Sequence, residues 1–187
     1  MISGSPMKPD KPKHSKLHDE RARWMQAVMD RHEGPLLRYA ARILGDLERG
    51  RDVVQETFLK LWTSEQFGVD DNAGQWLFAV CRNRALDVLR KEKRMVGLSD
   101  EIKRTRAAAG DGPPAIAEQD ESAARVNHAV AQLPENQQEV LRLKFQNGFT
   151  YKQIARITGL SVSGVGFQIH TAMQTLRKKF KLAGLVA

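Results

Sequence analysis

The stretch "TYKQIARITGLSVSGVGFQIHTAMQTL", Thr150 to Leu176, leaves the backbone little choice. Thr150 offers a hydroxyl to cap a short helix running through Ile157, and Gly159 can take the left-handed conformation that ends it; Ser161 or Ser163 can cap the next helix. Two helices joined by so tight a turn cross at a steep angle and leave the second projecting outward, the arrangement of a helix-turn-helix. Ala155, Gly159 and Val165 fall where such units place a small residue, a turn glycine and a buried branched residue.

The second helix divides cleanly on a helical wheel. Val165, Ile169, Ala172, Met173, Leu176 and Phe180 form an apolar stripe, and Ser163, Phe167, His170, Thr171, Gln174 and Lys178 lie opposite. From Ser161 to Leu176 there is no Lys or Arg. A DNA-reading role survives this, because phosphate contacts supply affinity while hydroxyl, amide and apolar groups read base edges. Positive charge stands nearby at Lys144, Lys152, Arg177, Lys178, Lys179 and Lys181. An exposed Phe167 would equally suit a protein contact.

Helical spacing also runs through the N-terminal half, from about Leu17 to Arg94. Breaks at "EGP" (Glu33 to Pro35), "LGDLERG" (Leu44 to Gly50) and "FGVDDNAG" (Phe67 to Gly74) predict four helices, the second beginning near Pro35. In "RDVVQETFLKLW", Val54, Phe58, Leu61 and Trp62 face a core, while Asp52, Gln55, Glu56, Leu59 and Thr63 share the other side. That acidic and amide face with one embedded Leu is either plain surface or a dock for a helical, partly basic partner. In "QWLFAVCRNRALDVLRKEKR", Leu77, Phe78, Cys81, Ala85, Val88 and Leu89 line one side and Trp76, Val80, Asn83, Asp87, Arg90 and Arg94 the other. An aromatic followed by Asn and two Arg suits unstacked bases and phosphates; the arginines equally suit the C-terminal end of a helix dipole.

Between these halves, residues 96–120 collect Gly, Ala and Pro without an amphipathic stripe and read as a flexible linker, with a root-mean-square span of roughly 25 Å for about 23 residues. The expected organisation is all-α: a disordered basic tail at 1–16, a helical domain at 17–95, the linker, and a helix-turn-helix domain at 121–182. A net charge of +8 points to a polyanionic partner. The lone Cys81 fits a reducing, cytoplasmic setting and falls on a buried stripe. No run of apolar residues has the length of a membrane span, and the five His are scattered. No acid/base pair, activated nucleophile, phosphate-cradling loop or metal-ligand cluster is visible, so neither an enzyme nor a cofactor is expected.

Taken in order, "YAARILGD", "DVVQETFLKLW", "WLFAVCRNRALDVLRKEKR", "LPENQQEVLRLKF" and the helix-turn-helix resemble the extracytoplasmic-function sigma factors, small promoter-recognition subunits of bacterial RNA polymerase in the sigma-70 superfamily. The similarity covers about Arg23 to Lys179 apart from the linker. It implies that Asp52, Gln55, Glu56 and Leu59 dock on core RNA polymerase. It implies that the loop Phe67 to Gly74 with Trp76, Asn83, Asp87, Arg90 and Arg94 binds the upstream melted promoter element, and that Ser161, Ser163, Gly164, Phe167, Gln168 and Thr171 face promoter DNA at the more distant element.

Such a protein directs another enzyme to a start site and helps open the duplex. Its further partners in the family's manner would be an anti-sigma factor or, here, a Ser/Thr kinase. Family members usually carry acidic residues just before the position of Asp52, whereas "ERGRD" places Arg49 and Arg51 there. Phosphorylation of Thr63 would add a charge of about −1.5 to −2 to a face short of acid, by which a kinase could switch docking on; the plainer reading is an unmodified threonine near a helix end. Two other readings stay open: a helix-turn-helix regulator that works without polymerase, and a sigma-like protein that occupies a partner without starting transcription.

Overall fold

The computed structural model of the protein describes residues 13–64, 70–95 and 121–182. Seven helices lie in these segments: α1 Lys13–Leu44, α2 Leu47–Thr63, α3 Asp70–Met95, α4 Glu121–Ala131, α5 Glu135–Phe145, α6 Tyr151–Thr158 and α7 Val162–Leu182. The all-α class follows directly. The expected tail lies outside the described residues except for its last positions, where α1 begins at Lys13. The expected linker at 96–120 and residues 67–69 of the expected loop also lie outside them.

One expectation fails. The break at Glu33 to Pro35 and the new helix near Pro35 do not occur: α1 runs unbroken for 32 residues with Pro35 inside it, so the N-terminal half has three described helices. An interior proline forfeits a backbone hydrogen bond and costs about 3 kcal/mol. Packing on both sides of it offsets that cost, because Met25 and Val28 before the proline and Leu36, Tyr39, Ala40 and Leu44 after it are all buried in one core. The other two breaks are shorter than expected. Gly45, in the left-handed region at φ 71°, and Asp46 separate α1 from α2, and Asp70 to Gly74 already belong to α3.

Helices α1, α2 and α3 pack on one another, and α5, α6 and α7 do the same, with α4 against α7. Val53, Val54, Thr57, Phe58 and Leu61 are the buried positions of α2, and Asp46 caps its start by accepting from the Arg49 N–H at 2.9 Å. Gly50 brings α1 and α2 together, since a Cβ there would stand 2.9 Å from the backbone N of Ala41. At the other end of α2, Arg21 donates to the carbonyl of Ser64 at 2.8 Å and lies over the Trp62 ring, tying the start of α1 to the end of α2.

In the C-terminal half the local expectations hold. Thr150 caps α6 through Gln153 N, and Gln153 Oε1 accepts from the Thr150 backbone N–H at 2.9 Å, closing a capping box. Gly159 ends α6 at φ 78°. Ser161 is the residue that caps α7, its Oγ accepting from Gly164 N at 3.0 Å. Val165, Ile169, Ala172 and Leu176 are buried, and Met173 and Phe180 are partly buried against the same core.

Candidate nucleic-acid and protein interfaces

The α2 face forms as a unit on the protein surface. Asp52, Gln55, Leu59 and Thr63 are exposed, and Leu59 stands 65% accessible although it is an isolated large apolar side chain on that face. Glu56, half-buried, takes a two-pronged grip from Arg84 of α3, one arm at 2.9 Å. That hydrogen bond holds its carboxyl below the usual range, against a smaller opposing effect of burial. Arg49 pairs with Glu92 of α3, and Arg51 with Glu48 at 2.5 Å. The basic approach to Asp52 therefore comes with its own carboxylates. Thr63, the last residue of α2, spends its hydroxyl on the carbonyls of Leu59 and Lys60, both at 3.2 Å.

On α3 the split expected from periodicity is present. Leu77, Phe78, Cys81, Ala85 and Leu89 are buried, and Val88 packs partly against them. Burial pushes the Cys81 thiol up to about 12, so it is a neutral core group. On the other side Asn83, Arg90 and Arg94 are exposed and Asp87 is half-exposed. Arg90 forms an ion pair with Asp87, and Arg94 donates to the Arg90 carbonyl at 3.4 Å. Trp76 is partly buried against the core, leaving only part of its ring to offer.

The outward face of α7 carries Ser163 and Phe167 exposed, with Gly164, Gln168 and Thr171 half-exposed; Phe167 is 67% accessible. Ser161 is exposed too, but its oxygen is already committed to the cap and lies 3.1 Å from Ser163 Oγ. His170 shares a hydrogen bond with Gln174 at 3.0 Å. Pro35, Arg38, Tyr39, Arg42, Arg142, Gln146 and Asn147 line a separate small cleft between α1 and α5.

Periodicity did not reveal that the two halves pack together. Helix α3 lies against α6. Phe78 meets Tyr39 at a tilt, centroids 5.1 Å apart, and Phe149 edge-on at 5.0 Å, so one aromatic set joins α1, α3 and the turn before α6. Beside it, Glu139 of α5 accepts from the Tyr39 hydroxyl at 2.6 Å and from Arg82 at 2.8 and 3.2 Å. Burial first, and then the charge of Glu139, raise the Tyr39 phenol well above its ordinary value of 10.0. This contact uses Gln75, Phe78 and Arg82 of α3, a different strip from Asn83, Arg90 and Arg94. No signal local to either half could have located it, because its partners are as much as 100 residues apart.

Comparison with known proteins matches both halves. A family described as Sigma-70 region 2 covers residues 28–95, and one described as Sigma-70, region 4 covers residues 123–176. The ECF RNA polymerase sigma factor SigL of Mycobacterium tuberculosis is 31% identical over 170 residues, which cover 86% of this chain and 91% of that protein. EcfG of Rhodopseudomonas palustris is 32% identical over 144 residues, 76% of this chain and 77% of that one. Among solved structures, the sigma factor RpoE in complex with the anti-sigma factor NepR from Bartonella quintana aligns with a TM-score of 0.59 at 22% identity, covering 89% of this chain and 98% of that chain. CnrH in complex with the cytosolic domain of CnrY aligns at 0.55 and 24% identity, over 90% and 94%.

Proposed function

The chain belongs to the extracytoplasmic-function sigma factors of the sigma-70 family, and from that premise we propose how its faces divide the work of directing core RNA polymerase to promoters. Residues 17–95 form the domain that docks on polymerase and binds the melted upstream element, and residues 121–182 form the domain that reads the distant element. Asp52, Gln55, Glu56 and Leu59 dock, with Leu59 as the apolar anchor and the carboxylates complementing a basic partner. Asn83, Arg90 and Arg94 hold unpaired bases and phosphates, with Asp87 keeping Arg90 oriented until DNA arrives. Phe167, Gln168 and Thr171 read base edges, and Ser163 and Gly164 admit a close approach of the phosphate backbone.

One observation supports this division most: Phe167 stands largely exposed in the stretch of α7 that carries no Lys or Arg, on a helix whose opposite stripe is buried. An exposed aromatic there is suited to a thymine methyl. With no Lys or Arg from Ser161 to Leu176, affinity must come from Lys178 at the far end of the face, from the flanking basic residues and from tethering to polymerase, which raises the local concentration of the reader. The chain acts in the cytoplasm and performs no bond chemistry itself; the active site it serves is the polymerase's.

The same reading extends to Thr63. It is exposed at the end of α2 on the docking face, within reach of a kinase, and a phosphate would add acid to that face at the opposite end of α2 from Arg49 and Arg51. Reconstituted transcription with core polymerase on a promoter library tests the whole assignment. Promoter-dependent initiation is expected, and absence of polymerase binding and of opening, with or without phosphate on Thr63, overturns it.

A further inference from the structure

Three arginines converge at the junction of the two halves without a carboxylate. Arg38 and Arg42 lie one turn apart on α1 and Arg142 comes from α5; with Pro35, Tyr39, Gln146 and Asn147 they line the same cleft. The hydrogen-bond acceptors of Arg42 and Arg142 are neutral: Arg42 donates to Gln146 Oε1 at 3.3 Å and Arg142 to Gln138 Oε1 at 2.8 Å. None of the three joins an ion pair among the described residues. The carboxylate closest along the chain, Glu139, is already held by Tyr39 and Arg82.

Arg42 and Arg142 are half-buried and Arg38 stands exposed beside them; gathering like charges so is unfavourable unless something neutralises them. Burial and mutual repulsion both favour the neutral form of the guanidiniums. Burial, then the charge of Arg42, lowers Arg142 to about 10, and burial, then Arg38, lowers Arg42.

We propose that Arg38, Arg42 and Arg142 form a binding site for a small polyphosphate anion, a pyrophosphate or nucleoside polyphosphate group, that bridges the N-terminal and C-terminal helices of the free protein. Planar guanidinium forks from two directions match the several oxygens of a phosphate group, and two linked phosphates suit three cations better than one. The cleft is too narrow for a duplex: its open volume, about 20 Å³, is on the scale of a water molecule, so the linked phosphates lie across the guanidinium groups at its mouth while the rest of the ligand stays in solvent. Because the donors come from both halves, the anion binds only while α1 and α5 are together, and its binding favours that packed state by mass action. A rise in such a metabolite would then compete with any step that needs the halves apart. This last consequence rests on the sigma-factor reading; the site itself does not.

Titration calorimetry of the full chain with sodium pyrophosphate, against sodium chloride at matched ionic strength, tests the site. Saturable binding is expected, weakened roughly tenfold or more by Arg42→Gln and likewise by Arg142→Gln, with Lys91→Gln as an unaffected surface control. Loss from either side of the cleft is the signature of a bridge. Without anion, Arg142→Gln is expected to melt no lower than the parent, since a repelling charge has gone, which separates a ligand defect from misfolding. Equal pyrophosphate affinity in parent and variants, or a response that chloride reproduces, overturns the proposal. So does loss of duplex-DNA affinity in Arg142→Gln with no pyrophosphate binding by the parent, which would assign the cluster to nucleic-acid phosphates.

Discussion

The guanidinium of Arg82 grips the carboxylate of Glu139 through two nitrogens, at 2.8 and 3.2 Å, and joins α3 to α5 across 57 residues of sequence. Glu139→Ala leaves Arg82 half-buried and the Tyr39 hydroxyl without its acceptor. The expected loss is about 1.5–3 kcal/mol in urea unfolding, with Glu139→Gln intermediate because one acceptor oxygen remains. A loss below a few tenths would mean that the remaining contacts, Phe78 on Phe149 and α3 against α6, hold the halves without it.

Gly50→Ala is expected to destabilise the fold by about 1–3 kcal/mol, measured by thermal or urea unfolding. The new methyl would meet the backbone of Ala41 at 2.9 and 3.1 Å, and backbone cannot swing aside as a side-chain tip does.

Replacing Phe167, Gln168 and Thr171 together by Ala is expected to leave stability within about 0.5 kcal/mol and to change which promoters are used. Phe167 is mostly in solvent and makes little of the core. Transcription from a promoter library, normalised to polymerase binding, is the measurement; unchanged selectivity would contradict the assignment of these residues to base reading.

Phosphate on Thr63 is expected to tighten binding to core polymerase, and Thr63→Ala to remove the response to a kinase. Affinity of unmodified, phosphorylated and Thr63→Ala protein can be compared directly. Equally tight binding by the unmodified form would make the switch unnecessary.

Cys81 is expected to resist thiol reagents near pH 8 until the protein unfolds, its thiol being buried and raised from 9.0 to about 12. The folded state holds that proton more tightly than the unfolded chain does. This contribution to stability is therefore complete below about pH 9 and is lost as pH rises toward 12. Tyr39, raised well above 10.0, acts in the same sense over the range above pH 10. Alkaline unfolding of Cys81→Ala compared with the parent should show a shallower decline over pH 9–12.

How far a sequence can be read depends on how local the cause is. The capping box at Thr150, the turn at Gly159 and the buried stripe from Val165 to Leu176 depend on residues within a few turns of one another, and they stand where spacing puts them. The two faces of α2 and α3 were legible for the same reason, since 3.6-residue periodicity needs no knowledge of neighbours. Proline punctuation is not local in this sense, because its outcome depends on what packs on either side of it. At Pro35 the core on both sides outweighs a single missing hydrogen bond.

By itself, the sequence determined the helical class, the helix-turn-helix, the outward residues on α2, α3 and α7, and the family. Only the tertiary structure decided that Pro35 sits inside one helix, that Arg82, Tyr39 and Glu139 lock the halves together, and that three arginines with no ion pair among the described residues meet at that junction. Each of these depends on which surfaces meet across many residues of chain, a matter of packing and desolvation between helices that no single helix's pattern encodes.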